Sequence, residues 1–162
     1  MSNSIPDRTR SRYAGQYAQS IDHQRLLEIF DDSRKIALGS KNPETAQARF
    51  ELAVEVYHQL ASLGLPAALG SSVQGAMALL ADQFPAQVCL NEALGLREKA
   101  RKLKSRQRKL EYLHRARQVL ETGGATNASG AADVEMAHRQ VLEEIALVEE
   151  VAGKPTTATE GQ

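Results

Sequence analysis

The stretch Asn42–Gly64 constrains the chain more than any other, because both ends and the inward face of a helix are written into it. Asn42 suits the cap position, where its side chain can accept from the first free amides, and Pro43 suits the first helical residue, whose N–H has no partner in any case. Phe50, Ala53, Val54, Tyr57, Leu60 and Ala61 then recur at three- and four-residue spacing and predict one apolar face. Gly64 offers a left-handed exit, and Pro66 cannot continue the helix.

The segments on either side read as further helices. Asp22–Leu38 carries Leu26, Leu27, Ile29, Phe30, Ile36 and Ala37 on an apolar side and ends at Gly39-Ser40. Its short link to Asn42 implies an antiparallel helical hairpin. Ala67–Phe84 places Val73, Met77, Leu80 and Phe84 at near-helical spacing, and Pro85 is expected to close it and open the next helix. Residues 86–121 could form one continuous helix about 54 Å long, a reading favoured by the seven-residue spacing of Leu96, Leu103 and Leu110. An internal similarity favours two helices instead. A shift of 63 residues pairs Arg34 with Arg97, Ala37 with Ala100, Lys41 with Lys104, Asn42 with Ser105, Phe50 with Leu113, Ala53 with Ala116 and Val56 with Val119. On that alignment Ser105 takes the capping role of Asn42 and the break falls near Lys104-Ser105. Thr122–Ala132 is rich in turn formers and reads as a flexible loop. A last amphipathic helix is expected over Asp133–Val151, with Val134, Val141, Ile145 and Val148 facing inward.

The reading is therefore all-α, five to seven helices built from antiparallel hairpins around residues 22–64 and 86–121. Residues 1–20, with Arg8, Arg10 and Arg12 among polar neighbours, read as a flexible basic arm, residues 21–152 as a single helical domain, and 153–162 as a disordered tail. Abundant Ala, Leu, Glu, Arg and Gln, with no Trp, favour helices packed through small side chains over a β-sheet. Cys89 is the only cysteine, which rules out an intrachain disulfide and speaks against a cysteine-based zinc site. No apolar run approaches the roughly 20 residues that span a bilayer, so no membrane association is expected and the cytoplasm is the default location.

The hairpin whose second member carries Ala46, Phe50 and Ala53 as Ala-x3-Phe-x2-Ala resembles a tetratricopeptide repeat. The same helix also places Phe50, Ala53, Val54 and Tyr57 at that family's first-helix positions. The match covers about a quarter of the chain, and the internal spacing is 63 residues where the family's period is about 34. The resemblance implies an array of stacked helical hairpins that binds other proteins.

Two features bear on chemistry. Between Arg97 and Arg117 ten Lys or Arg stand against two Glu, a local balance of +8. On one continuous helix Arg97, Arg101, Lys104, Arg108 and Arg115 would form a single stripe, a candidate binding surface for an acidic protein or for the phosphates of a nucleic acid. The bland alternative is a solvated face paired with the last helix, where six acidic residues of 133–151 oppose Arg139 alone. Glu55-x-x-His58, Glu111-x-x-His114 and Glu135-x-x-His138 resemble the ligand pattern of di-iron carboxylate bundles. Helical angles turn Glu55 and Glu111 outward, so a metal-binding enzyme ranks third. Cys89 sits among Ala86, Val88 and Leu90 and reads as an inert thiol. The expected function is a non-catalytic protein-interaction or adaptor module without a cofactor, with nucleic acid as the alternative partner and homo-oligomerisation left open.

Overall fold

The first bend forms through the contacts its residues allow. The Asn42 side-chain oxygen accepts from the backbone N–H of Glu44 at 2.9 Å and of Thr45 at 3.3 Å, and at the far end of the same helix Gly64 takes the left-handed exit at φ 66°. The bend at 103–105 copies the one at 40–42: the Ser105 hydroxyl accepts from the Arg108 N–H at 3.4 Å, so the break falls where the 63-residue similarity puts it. The computed structural model describes residues 7–124 and 129–160, with side chains over 23–123 and 129–150. Its helices are α1 (Asp7–Gly39), α2 (Pro43–Ser62), α3 (Ala67–Lys102), α4 (Arg106–Gly124) and α5 (Ala131–Glu160), with no strand among the described residues. The side chains of the arm (1–20) and of the tail (153–162) lie outside what is described, as do residues 125–128 of the expected loop. Among the described residues no helix is long and apolar enough to cross a membrane.

Each hairpin packs on the next. α1 pairs with α2 and α3 with α4, while α2 reaches across to α3 and α4 to α5. The long helices α1, α3 and α5 also touch in order, whereas α2 and α4 do not meet among the described residues. Two cores result. The first joins Phe30, Ala37, Ala53, Val56 and Leu60 to the front half of α3 through Val73, Met77, Leu80 and Phe84. The second joins the rear half of α3, through Ala86, Ala93, Leu96 and Ala100, to Leu113, Ala116 and Leu120 of α4 and to Val134, Val141 and Ile145 of α5.

Two expectations need correction. Pro85 does not separate two helices; α3 runs through it for 36 residues. A proline inside a helix forfeits one backbone hydrogen bond and crowds the carbonyl four residues earlier, at a cost of about 3 kcal/mol. Phe84 and Ala86, its immediate neighbours, are buried in different cores. An unbroken helix holds both in place, and burying a Phe side chain alone contributes about 1.5–3 kcal/mol. The second correction concerns α2. Its buried residues are Ala46, Ala53, Val56 and Leu60, while Phe50, Val54 and Tyr57 are half-buried and Ala61 is exposed. The inward face is thus turned by roughly 60° from the one that apolarity alone picks out. α2 is gripped between α1 and α3, and small or β-branched residues are what fit at the line of closest approach. Phe50 instead lies at the margin of the core, its ring stacked on Phe84 with centroids 4.3 Å apart and planes at 14°.

Small residues set the spacing in the second hairpin too. A Cβ on Gly123 would lie 2.4 Å from the Cys89 sulfur and 2.7 Å from its Cβ, so α3 and α4 could not approach as they do with any other residue there. Gly130, at φ 94°, brings the start of α5 against Ala86, whose Cβ an added Cβ would meet at 2.9 Å.

Two predictions follow from this packing. Phe30→Ala should destabilise the fold by about 3–5 kcal/mol in a denaturant titration, and Phe50→Ala by less than that, since Phe30 is 2% exposed and Phe50 only half-buried. An equal or larger loss at Phe50 would contradict the turned face. Gly123→Ala should cost about 1–3 kcal/mol despite the better helix propensity of Ala, and combining it with Cys89→Gly, which removes both atoms it would strike, should cost less than the two single changes added together. Simple additivity would mean that the two helices are not held that closely.

Candidate interaction surface

The basic residues do not lie on one stripe, because the helix that would carry them is broken at 103–105. Arg97 and Arg101 stay on α3 and turn toward α5. The Arg97 Nε donates to Glu144 Oε1 at 2.5 Å, one of its terminal nitrogens reaches Gln140 Oε1 at 3.3 Å, and Arg101 Nε lies 3.6 Å from Glu144 Oε2. The Arg97 side chain is only 13% exposed, so this pair is the better shielded of the two. The acidic last helix therefore does take up part of the basic charge, through Glu144.

Lys104 and Arg108 are exposed, Lys104 in the bend itself and Arg108 in the first turn of α4, and neither forms an ion pair among the described residues. Arg115 lies further along α4, its guanidinium carbon 5.3 Å from the centre of the Tyr112 ring. What the break brings together is a different set. Lys99, Arg101 and Lys102 end α3, Lys104 fills the bend, and Arg106 and Arg108 begin α4, all six exposed. Cations at the end of α3 complement its dipole. At the start of α4 the positive helix end disfavours them, by roughly 0.3–1 kcal/mol each, and no acidic residue sits in that first turn. α2 and α5 do carry one there, Glu44 and Asp133 respectively.

The first bend adjoins this ridge. Asn91 of α3, a buried polar residue, donates to the Leu38 carbonyl at 2.7 Å and accepts from the Gln87 amide at 2.9 Å. It thereby satisfies a carbonyl that the end of α1 leaves without a helical partner. Gly95 lets Lys41 come close, and Lys41 Nζ donates to Glu98 Oε1 at 2.5 Å. That hydrogen bond is the main reason the Glu98 carboxyl is held below its ordinary range. Between this bend, α3 and Arg115 opens a cleft of about 550 Å³. Lys41, Lys99, Lys102 and Arg115 line it together with Glu44, Glu92 and Glu98. Lys41 was legible only through the 63-residue shift, which pairs it with Lys104. Asn91 carried no local signal, since it acts on a partner far away in the chain, whereas Glu144 belongs to the acidic helix that the charge balance already sets against the basic run.

The histidines are dispersed. Glu55 and His58 are exposed, Glu111 is exposed, and His138 Nε2 lies 3.2 Å from Glu121 Oε2, across the α4–α5 contact rather than beside Glu135. Among the described residues no group of three or more His, Cys, Asp or Glu is placed to hold a metal ion. The Cys89 thiol is half-buried, and burial, with Glu92 as the lesser cause, raises its pKa. A thiol held protonated is a poor nucleophile.

The Arg97–Glu144 pair offers a direct check of this geometry. Glu144→Ala leaves the poorly exposed Arg97 without its carboxylate and should cost about 1–3 kcal/mol, whereas Arg101→Ala at a more exposed site should cost under about 1 kcal/mol. Equal effects in denaturant titrations would mean that Arg97 is no better shielded than Arg101.

Comparison of the chain with protein-family models, with curated proteins and with solved structures finds no match.

Proposed function

We propose that this chain is a non-catalytic helical interaction module that docks an acidic protein surface on the bend between α3 and α4. One observation carries the reading. Arg106 and Arg108 occupy the end of a helix where its dipole disfavours positive charge, and with Lys99, Lys102 and Lys104 they are exposed around a single bend. Cations kept where they cost local stability are accounted for by a partner that supplies the missing anions. The stacked-hairpin layout supports the same reading. It is the layout that the tetratricopeptide resemblance implies, with longer helices and a 63-residue period in place of the family's own.

A protein partner fits better than a nucleic acid. Glu44, Glu92 and Glu98 share the adjoining cleft with the cations and would repel a phosphate backbone, while a protein surface of mixed charge can meet both signs. Glu144 has already taken up Arg97, which shortens any track for successive phosphates. Near the bend Tyr112 is covered by Arg115, so stacking on bases has no free platform there.

The test is reversal of charge at three exposed positions, Lys104→Glu, Arg106→Glu and Arg108→Glu together. Stability should hold or rise slightly, because two of the new carboxylates sit at a helix N-terminus. Binding of fluorescent polyglutamate, measured by anisotropy at low salt, should fall at least tenfold. Duplex DNA and single-stranded RNA serve as the competing probes. Tighter binding of either than of polyglutamate, with a steep loss on adding salt, would transfer the surface to nucleic acid. Unchanged polyglutamate binding in the triple variant would remove the bend from the account.

A further inference from the structure

One side of α5 is filled by the second core and by α3. Val134, Val141 and Ile145 face the core, and Glu144 and Gln140 meet Arg97. At 100° per residue, the opposite side carries Met136, Arg139, Glu143 and Leu147. Met136 and Leu147 are the most exposed large apolar side chains among the described residues, at 57% and 58%. A single exposed apolar residue needs no explanation. Two of them on one stripe, about 16 Å apart along the helix, ask for one.

Laying the buried face of α3 on that of α5, at a shift of 61 residues and so two short of the 63-residue similarity, says which face this is. Val73, Met77, Leu80 and Phe84 of α3 return 61 residues later as Val134, His138, Val141 and Ile145 of α5. α3 uses both of its sides, the first core on one and the second on the other. On α5 only the first of those sides is filled within the described chain, and Leu147 stands where α3 has Ala86, a residue buried in the second core.

The stripe is also self-complementary. Read in either direction, Met136, Arg139, Glu143 and Leu147 run from apolar through two opposite charges to apolar, and reversal exchanges the charges. We propose that this face pairs with the same face of a second copy, two α5 helices lying antiparallel about a two-fold axis. That arrangement sets Met136 against the partner's Leu147 and Arg139 against the partner's Glu143, each contact occurring twice, as an isologous interface requires. Arg139 is held only loosely in its own chain, 3.8 Å from Glu135 with both side chains largely exposed, so it can turn to the partner. A contact of four apolar side chains and two ion pairs lies at the low end of specific interfaces, below about 1,200 Å². The dimer is accordingly reversible, with a Kd between roughly micromolar and millimolar.

Sedimentation equilibrium of the full chain over that concentration range tests this. The weight-average mass should climb from 17.7 kDa toward twice that value. The double variant Met136→Glu, Leu147→Glu should stay monomeric while its circular-dichroism melt is unchanged, both sites being exposed. Arg139→Glu alone and Glu143→Arg alone should each associate at least tenfold more weakly, and an equimolar mixture of the two should dimerise again. That recovery is the signature of the antiparallel pairing, since only in the mixture does each substituted residue meet its opposite charge. A native chain that stays at 17.7 kDa throughout, a dimer that survives the double Glu change, or single variants that fail to complement would each overturn the proposal.

Discussion

Everything else in the structure hangs on α3 continuing through Pro85. Its front half completes the core begun by α1 and α2, and its rear half founds the core finished by α4 and α5. The α2 and α4 helices do not touch among the described residues, so α3 and its contacts with α1 and α5 transmit any strain from one hairpin to the other. Asn91 and Lys41 reinforce that transmission. They tie the first bend to the rear half of α3 through the Leu38 carbonyl and the Glu98 carboxylate. The cleft exists because the two hairpins are held at this offset and not free to separate.

How much could be read from the residues depended on the range of the interaction concerned. Helix starts at Pro43 and Arg106 were legible because the Asn42 and Ser105 caps act within three residues. The all-α class, the hairpins and the second break followed from that local chemistry and from the 63-residue similarity. The path through Pro85 was not legible. Local propensity argues for a break there, and only the two cores on either side override it. The turned face of α2 failed for a related reason, since apolarity ranks Phe50 above Val56 while close helix packing ranks them the other way.

The candidate surface divides along the same line. The charge excess of 97–117 was plain in the composition of the segment, yet its geometry was not. A single stripe would have run the cations along one helix; the bend gathers them instead, and Glu144 withdraws Arg97. Lys41 enters from an element far away in sequence. Charge counts along a chain say how much potential a surface holds, and the fold decides where it is concentrated and which part is already neutralised.

Pro85→Ala measures the central claim most directly. If α3 is one helix shared by two cores, the substitution restores the missing backbone hydrogen bond and relieves the crowded carbonyl. Stability by denaturant titration should then rise by roughly 1–3 kcal/mol, less the small entropy that proline removes from the unfolded chain. If two helices met at this point, Pro85 would sit in a first turn where its ring is favourable. An unchanged or lower stability in the Pro85→Ala chain would contradict the account.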